Sequence, residues 1–169
     1  QESRMKSVID TSEHIAIQFV LKIMKKRLFS SPAAFQATLE QHLRTLARRR
    51  AQSETRRASV GLLRQQIARL DEDSDNDEQL DDATQGAVEQ TSRLFRESTP
   101  EENRLLQQMR SWAETAVHRP DSKTRTLITW LKKIVKPNGQ WSDERVIIFT
   151  EYRDTQKWLM GMLALEGLT

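Results

Sequence analysis

The residues best suited to chemistry in this 169-residue chain are arginines. Arg44, Arg48, Arg49, Arg50, Arg56, Arg57, Arg64 and Arg69 fall along one stretch with few acidic neighbours. A guanidinium presents a planar fork of donors that matches phosphate oxygens, and it keeps its charge at every physiological pH. A helix face carrying several of them can hold a nucleic-acid backbone through charge and counterion release. The competing reading is a solvated helix surface, or charge pairing with Asp71–Asp82, a stretch with eight acidic residues and no basic one. Eight arginines against eight carboxylates make self-neutralisation credible, and both readings stay open.

A second group, Thr150, Tyr152 and Arg153, follows the apolar run Val146–Phe149. Open α/β sheets bind ligands just past the carboxyl ends of their strands. Thr150 and Asp154 are equally suited to capping the helix that follows. The candidate nucleic-acid-binding residues are therefore Arg48, Arg49, Arg50, Arg56, Arg57, Thr150, Tyr152 and Arg153. No catalytic centre is expected. His14, His42 and His118 lie far apart, without the spacing of metal ligands. No serine has a Ser/His/Asp setting, and the absence of cysteine excludes disulfides and thiolate chemistry. Trp112, Trp130, Trp141 and Trp158 read as core or interface anchors, with Trp141, in a loop, the freest for a contact.

Elements must position these groups, and composition says which kind. Hydrophobic residues make up 37% and charged residues 30% of the chain, lean for a compact globule and usual for long solvated helices. Five glycines and four prolines leave long stretches without a breaker, and the net charge is +3. No apolar run approaches the roughly 18 residues of a membrane span, and the N-terminus lacks the apolar segment of a signal peptide. A cytoplasmic location with no membrane partner is expected. The opening Gln1 reads as the edge of a piece cut from a longer chain.

Asp10-Thr-Ser-Glu13 has the form of a capping box, and Ile15, Phe19, Ile23 and Met24 then share one helical face up to about Leu28-Phe29. Ser31-Pro32 restarts a helix, with serine as the cap and proline at the first turn. Nothing obvious breaks it before Leu70 except Gly61, so an unbroken helix would be about 60 Å long. Its stripes are Phe35, Leu39, Leu43, Leu46 and then Leu62, Leu63, Ile67, Leu70, with a polar middle where a break is allowed. Asp71–Asp82 reads as a solvated linker or frayed turn.

Thr99-Pro100-Glu101-Glu102 is a further start signal, followed by Leu105, Leu106, Met109, Trp112, Ala113 and Ala116 at helical spacing. Arg119-Pro120 ends that helix, Asp121 caps the next, and Lys136-Pro137-Asn138-Gly139 ends it in turn. Val146–Phe149 is a short β-branched run without alternation, as in a strand covered on both faces. Asp154 is expected to cap a last helix carrying Trp158, Leu159, Met162 and Leu163, with Gly167 as its stop.

One strand makes no sheet, and an unpaired buried N–H or C=O group costs about 1–3 kcal/mol. The strand must pair with another copy, or with strands of a sheet that lies beyond residue 169.

The order of these segments resembles superfamily 2 helicases, most closely the Swi/Snf-type and RapA-like ATPases of bacteria. The resemblance rests on Asp121-Ser-Lys123 opening a helix, a Trp-Ser-Asp-Glu-Arg turn, and then Val146-Ile-Ile-Phe-Thr-Glu-Tyr-Arg-Asp154, similar to the first strand of the second RecA-like lobe. Thr155 and Leu159 keep the spacing of the helix that follows. Upstream, Leu21–Phe35 looks like the helical insertion between the lobes. The resemblance implies nucleic-acid backbone contact near Thr150, Tyr152 and Arg153, and Mg-ATP bound between two lobes of the parent protein. This chain departs from the pattern where ATP chemistry resides. It has no Gly-x-x-x-x-Gly-Lys-Ser/Thr loop, no Asp-Glu-x-His motif and no arginine-finger motif. No cofactor is expected in it, and no ATP hydrolysis by it alone.

The expected fold class is mainly α, long helices of a helical insertion followed by one β-α unit of an incomplete RecA-like lobe. The expected divisions are 1–70, a helical insertion with a long basic helix; 71–98, an acidic linker; and 99–169, helices plus the first strand and helix of the lobe. The expected function is that of a helicase or translocase fragment. Its partners are DNA or RNA backbone and the remainder of the motor chain. The alternative is a helical interaction or self-association module, with Val146–Phe149 pairing between copies.

Overall fold

The computed structural model describes residues 2–52 and 77–169, with side chains from Thr11, 13–49 and 83–169. Among these the chain is mainly helical: α1 (Glu2–Ser30), α2 (Pro32–Gln52), α3 (Asp77–Ser92), α4 (Pro100–Ala116), α5 (Ser122–Val135) and α6 (Arg153–Leu165), with a 3-10 turn at Pro137–Gly139. None of these helices is long and apolar enough to cross a membrane.

On α1, Ala16, Phe19, Val20, Ile23, Met24 and Arg27 recur at three- and four-residue steps, and all six are buried. Five of them are apolar and the sixth is a charge, which matters below. Ser31 breaks the backbone between α1 and α2, its hydroxyl accepting from the Ala34 N–H at 3.1 Å, with Pro32 at the first helical position. The two helices turn back on each other there. Phe35 and Leu39 of α2, Ala87 and Val88 of α3 and Ala113 of α4 complete a core with Phe19, Val20, Ile23 and Met24. The buried stripe of α2 also carries Thr38 and Thr45, which satisfy themselves by donating to the carbonyls of Ala34 and Gln41.

The start signals at Thr99 and Asp121 act as expected. Thr99 and Glu102 close a reciprocal capping box at α4, and the Asp121 carboxylate accepts from the Thr124 N–H at 2.7 Å. Gly167, at φ 67°, stops α6: the Gly167 N–H bonds Ala164 O and the Leu168 N–H bonds Leu163 O, each at 3.0 Å. A smaller core of Trp158, Leu159 and Met162 packs with Leu127, Leu163 and, from the bundle, Ala33.

Four expectations change. Helix α1 runs straight through Asp10-Thr-Ser-Glu13, so Asp10 starts no helix, and the Glu13 carboxylate instead accepts from the backbone N–H of Arg96. Asp77–Asp82, expected as part of a solvated linker, is the opening of α3, whose later turns put Ala87 and Val88 in the core. That burial anchors a helix whose acidic start has little drive to form alone. Asp154 is the second residue of α6 and not its cap; Tyr152 holds the cap position. The strand expected at Val146–Phe149 is an extended segment without a ladder, because no second strand exists among the described residues. The stretch from Ser53 to Asn76, with Gly61 and the second apolar stripe, lies outside the described residues.

Candidate functional site

A set of specific polar contacts gathers where α5 and α6 meet the α1–α2 corner. Arg27 is the anchor. Its side chain is 0% exposed, held with the apolar stripe of α1, and one guanidinium nitrogen lies 3.2 Å from the Asp154 carboxylate. The same guanidinium stacks over the Tyr152 ring, 4.5 Å from its centroid. A buried cation is tolerable only when paired, and here a carboxylate and an aromatic face share the task.

Next to this pair, the Thr155 hydroxyl lies 2.7 Å from Ser30 Oγ and 2.8 Å from Ser31 Oγ. Lys123 donates to the carbonyls of Phe29 at 2.9 Å and Ser30 at 2.8 Å, two of the groups left open at the end of α1. A cation at a helix C-terminus also meets the negative end of its dipole. Asp121 starts α5 and so sets Lys123 in register for this contact. The Trp158 indole N–H donates to Val117 O at 2.8 Å, tying α6 to the end of α4.

This geometry assigns work to residues that sequence patterning singled out for other reasons. Tyr152 is buried beneath Arg27, so its ring is committed to packing. Thr150 donates to Tyr152 O within its own turn, at 3.4 Å, and Arg153 is exposed at the start of α6. These three are close together, whereas Arg48 and Arg49 lie far along α2. Arg48 is exposed and its guanidinium is 4.0 Å from Glu89 of α3. Glu89 also receives Arg93 at 2.9 Å and Gln41 at 3.1 Å, while Arg44 pairs with Glu40. Part of the basic face is thus neutralised locally. Arg50 lies in α2, its side chain not described, and Arg56 and Arg57 lie outside the described residues.

Arg27 and Glu89 escaped sequence reasoning. The signal for Arg27 was present, since it follows Ile23 and Met24 at the helical steps of a core stripe. Glu89 had only Arg93, four positions on, as a local signal, because its other partners, Arg48 and Gln41, come from α2.

Compared with known protein families, with curated proteins and with solved structures, the chain matches none. The site must therefore be judged on its own geometry. The sequence carries no Gly-x-x-x-x-Gly-Lys-Ser/Thr loop, and no group of three or more His, Cys, Asp or Glu that could hold a metal ion occurs among the described residues. What remains is a joint. The extended segment Arg145–Tyr152 leads into it, with Ile147, Ile148 and Phe149 all exposed. Val146 and Thr150 are half-buried and Tyr152 is buried, while Ile147 is 77% and Phe149 is 90% exposed.

Proposed function

We propose that this chain is a coupling piece of an ATP-dependent nucleic-acid helicase or translocase. It joins an inter-lobe helical insertion to the opening of a second RecA-like lobe and touches nucleic-acid backbone. The observation that carries this reading is the α1–α2 corner. Lys123, Thr155 and Leu159, which carry one half of the resemblance, engage the stretch Arg27–Ala33, which belongs to the other half. A joint so closely bonded would pass a displacement of the lobe into α2, the helix that bears Arg44 to Arg50. The uncovered Ile147 and Phe149 add support, because neighbouring strands and a second helical layer would cover both. In this reading the β-α unit of Val146–Leu165 finds its ladder in the rest of the lobe. Mg-ATP binds in the parent motor, and this chain by itself hydrolyses none.

The test is duplex binding followed by fluorescence anisotropy between about 50 and 200 mM salt. Each phosphate contact adds about 0.9 to the slope of log affinity against log salt, so replacing Arg48, Arg49 and Arg50 together by Ala lowers it by about 2.7 if all three reach phosphate. A salt-independent affinity, or an unchanged slope in the triple variant, removes the nucleic-acid part of the proposal.

One observation favours a second reading, pairing between copies. In an antiparallel register centred on Ile148, the segment Arg-Val-Ile-Ile-Phe-Thr-Glu is self-complementary. Arg145 of each copy stands opposite Glu151 of the other, and Ile147 opposite Phe149. A stable dimer in sedimentation that Phe149→Lys converts to monomer would favour this reading over the motor.

A further inference from the structure

A cleft of about 220 Å³ opens between α1, α4 and the turn that precedes α4. Val20, Leu21 and Met24 form one wall, Leu106 and Met109 the other, and Phe95 closes one side. Two features distinguish it from an ordinary apolar groove. The first is that the one cation on its rim is already paired. Arg96 places its guanidinium on both oxygens of Glu102, at 2.6 and 3.0 Å, and its backbone N–H on Glu13 at 2.9 Å.

The second is His42, which lines the cleft while only 3% exposed. Its Nδ1 lies 2.7 Å from Ser92 Oγ. The Ser92 hydroxyl spends its one proton on the Val88 carbonyl, at 2.6 Å, so towards the histidine it can only accept. Nδ1 therefore carries the ring proton and Nε2 holds a lone pair. No group among the described residues hydrogen-bonds Nε2. Burial pushes the imidazole pKa down to about 4, so the ring is neutral at pH 7.

We infer that this cleft binds a small neutral aromatic molecule bearing one hydrogen-bond donor, of the phenol or indole class. Its ring lies among the apolar side chains and its O–H or N–H is donated to His42 Nε2. An apolar cavity of about 150 Å³ is enough to hold benzene, so there is room for a ring and its substituent. Among the described residues the rim's one cation, Arg96, is held by Glu102, so an anion finds no open partner there. The inference is independent of the motor reading, which uses neither His42 nor this cleft.

The experiment titrates phenol, and toluene as its donor-free counterpart, into the ¹⁵N-labelled full chain, following the His42 ring nitrogens by NMR. The expected result is a shift of the Nε2 resonance with phenol but not with toluene. Phenol should also bind roughly three- to tenfold more tightly, the net value of one hydrogen bond. His42→Phe keeps an aromatic ring against Phe95 and should erase that preference while still admitting toluene. The inference is overturned if neither compound binds, if both bind equally to the native protein, if Nε2 does not move, or if the phenol preference survives in His42→Phe. Should that variant fail to fold, the Nε2 resonance of the native protein decides alone.

Discussion

Asp154→Ala tests whether the joint at the α1–α2 corner is held by its ion pair. The two partners are unequally placed: the Arg27 side chain is 0% exposed and that of Asp154 is 29% exposed. Deleting the carboxylate leaves a cation with no access to water, whereas deleting the arginine leaves a carboxylate that can rehydrate. Breaking a buried pair from one side costs about 3–5 kcal/mol. The partial exposure of Asp154 reduces that, and the Tyr152 ring 4.5 Å from the guanidinium retains some stabilisation. The expected loss is about 2–4 kcal/mol for Asp154→Ala, and less for Arg27→Met, whose methylenes keep much of the packing. For a chain of this size that corresponds to a fall in Tm of roughly 5–15 °C. Calorimetry or urea unfolding of both single variants and the double variant closes a thermodynamic cycle. The coupling energy should be at least about 1 kcal/mol, since the groups touch. Hydrogen exchange should show protection lost first in α6 and the last turn of α1. A loss under about 0.5 kcal/mol for Asp154→Ala, or strictly additive single effects, would refute the reasoning.

Two further outcomes are expected from the local geometry. His42 has a folded pKa near 4, below the unfolded value of about 6.5, so the unfolded chain takes up the proton first as pH falls. Stability should be level above pH ~6.5 and drop by about 3 kcal/mol on the way to pH ~4, and urea titrations of His42→Phe should lack this drop; parallel curves for the two proteins would exclude it. Thr99→Ala removes the hydroxyl that accepts from the Glu102 N–H and should destabilise α4 by about 1 kcal/mol, a Tm change of roughly 2–4 °C. An unchanged Tm would mean that Arg96 and Glu102 hold the turn without the cap.

Much of the helical layout was legible in the residues themselves. Ser31-Pro32, Thr99-Pro100 with Glu102, Asp121 and Gly167 act within three or four positions of chain, and local stereochemistry settles them without help from the fold. The stripe of α1 was legible for the same reason, since a helical period is a property of the chain, whereas on α4 the expected stripe is buried at Ala113 and Ala116 but exposed at Leu105 and Trp112. The same logic overreached at Asp10, where a plausible cap lies inside a helix that simply continues, and at Asp154, whose carboxylate serves a cation 127 residues away.

The candidate joint was legible only in part. The sequence marked Lys123, Thr155 and Leu159 by their order, yet their partners in α1 and α2 are distant in the chain and carry no local signal. What the sequence by itself determined is where α2, α4 and α5 begin, where α5 and α6 stop and which face of α1 is apolar, because those depend on backbone sterics and on neighbours within one turn. Tertiary structure alone decided that Arg27 is buried, that Asp154 and Tyr152 are spent on it, that an acidic stretch becomes the start of α3, and that Val146–Phe149 stays extended without a ladder. Each of these depends on desolvation or hydrogen bonding between segments brought together by folding, and a β-branched run forms a strand only when another strand is there to receive its N–H and C=O groups.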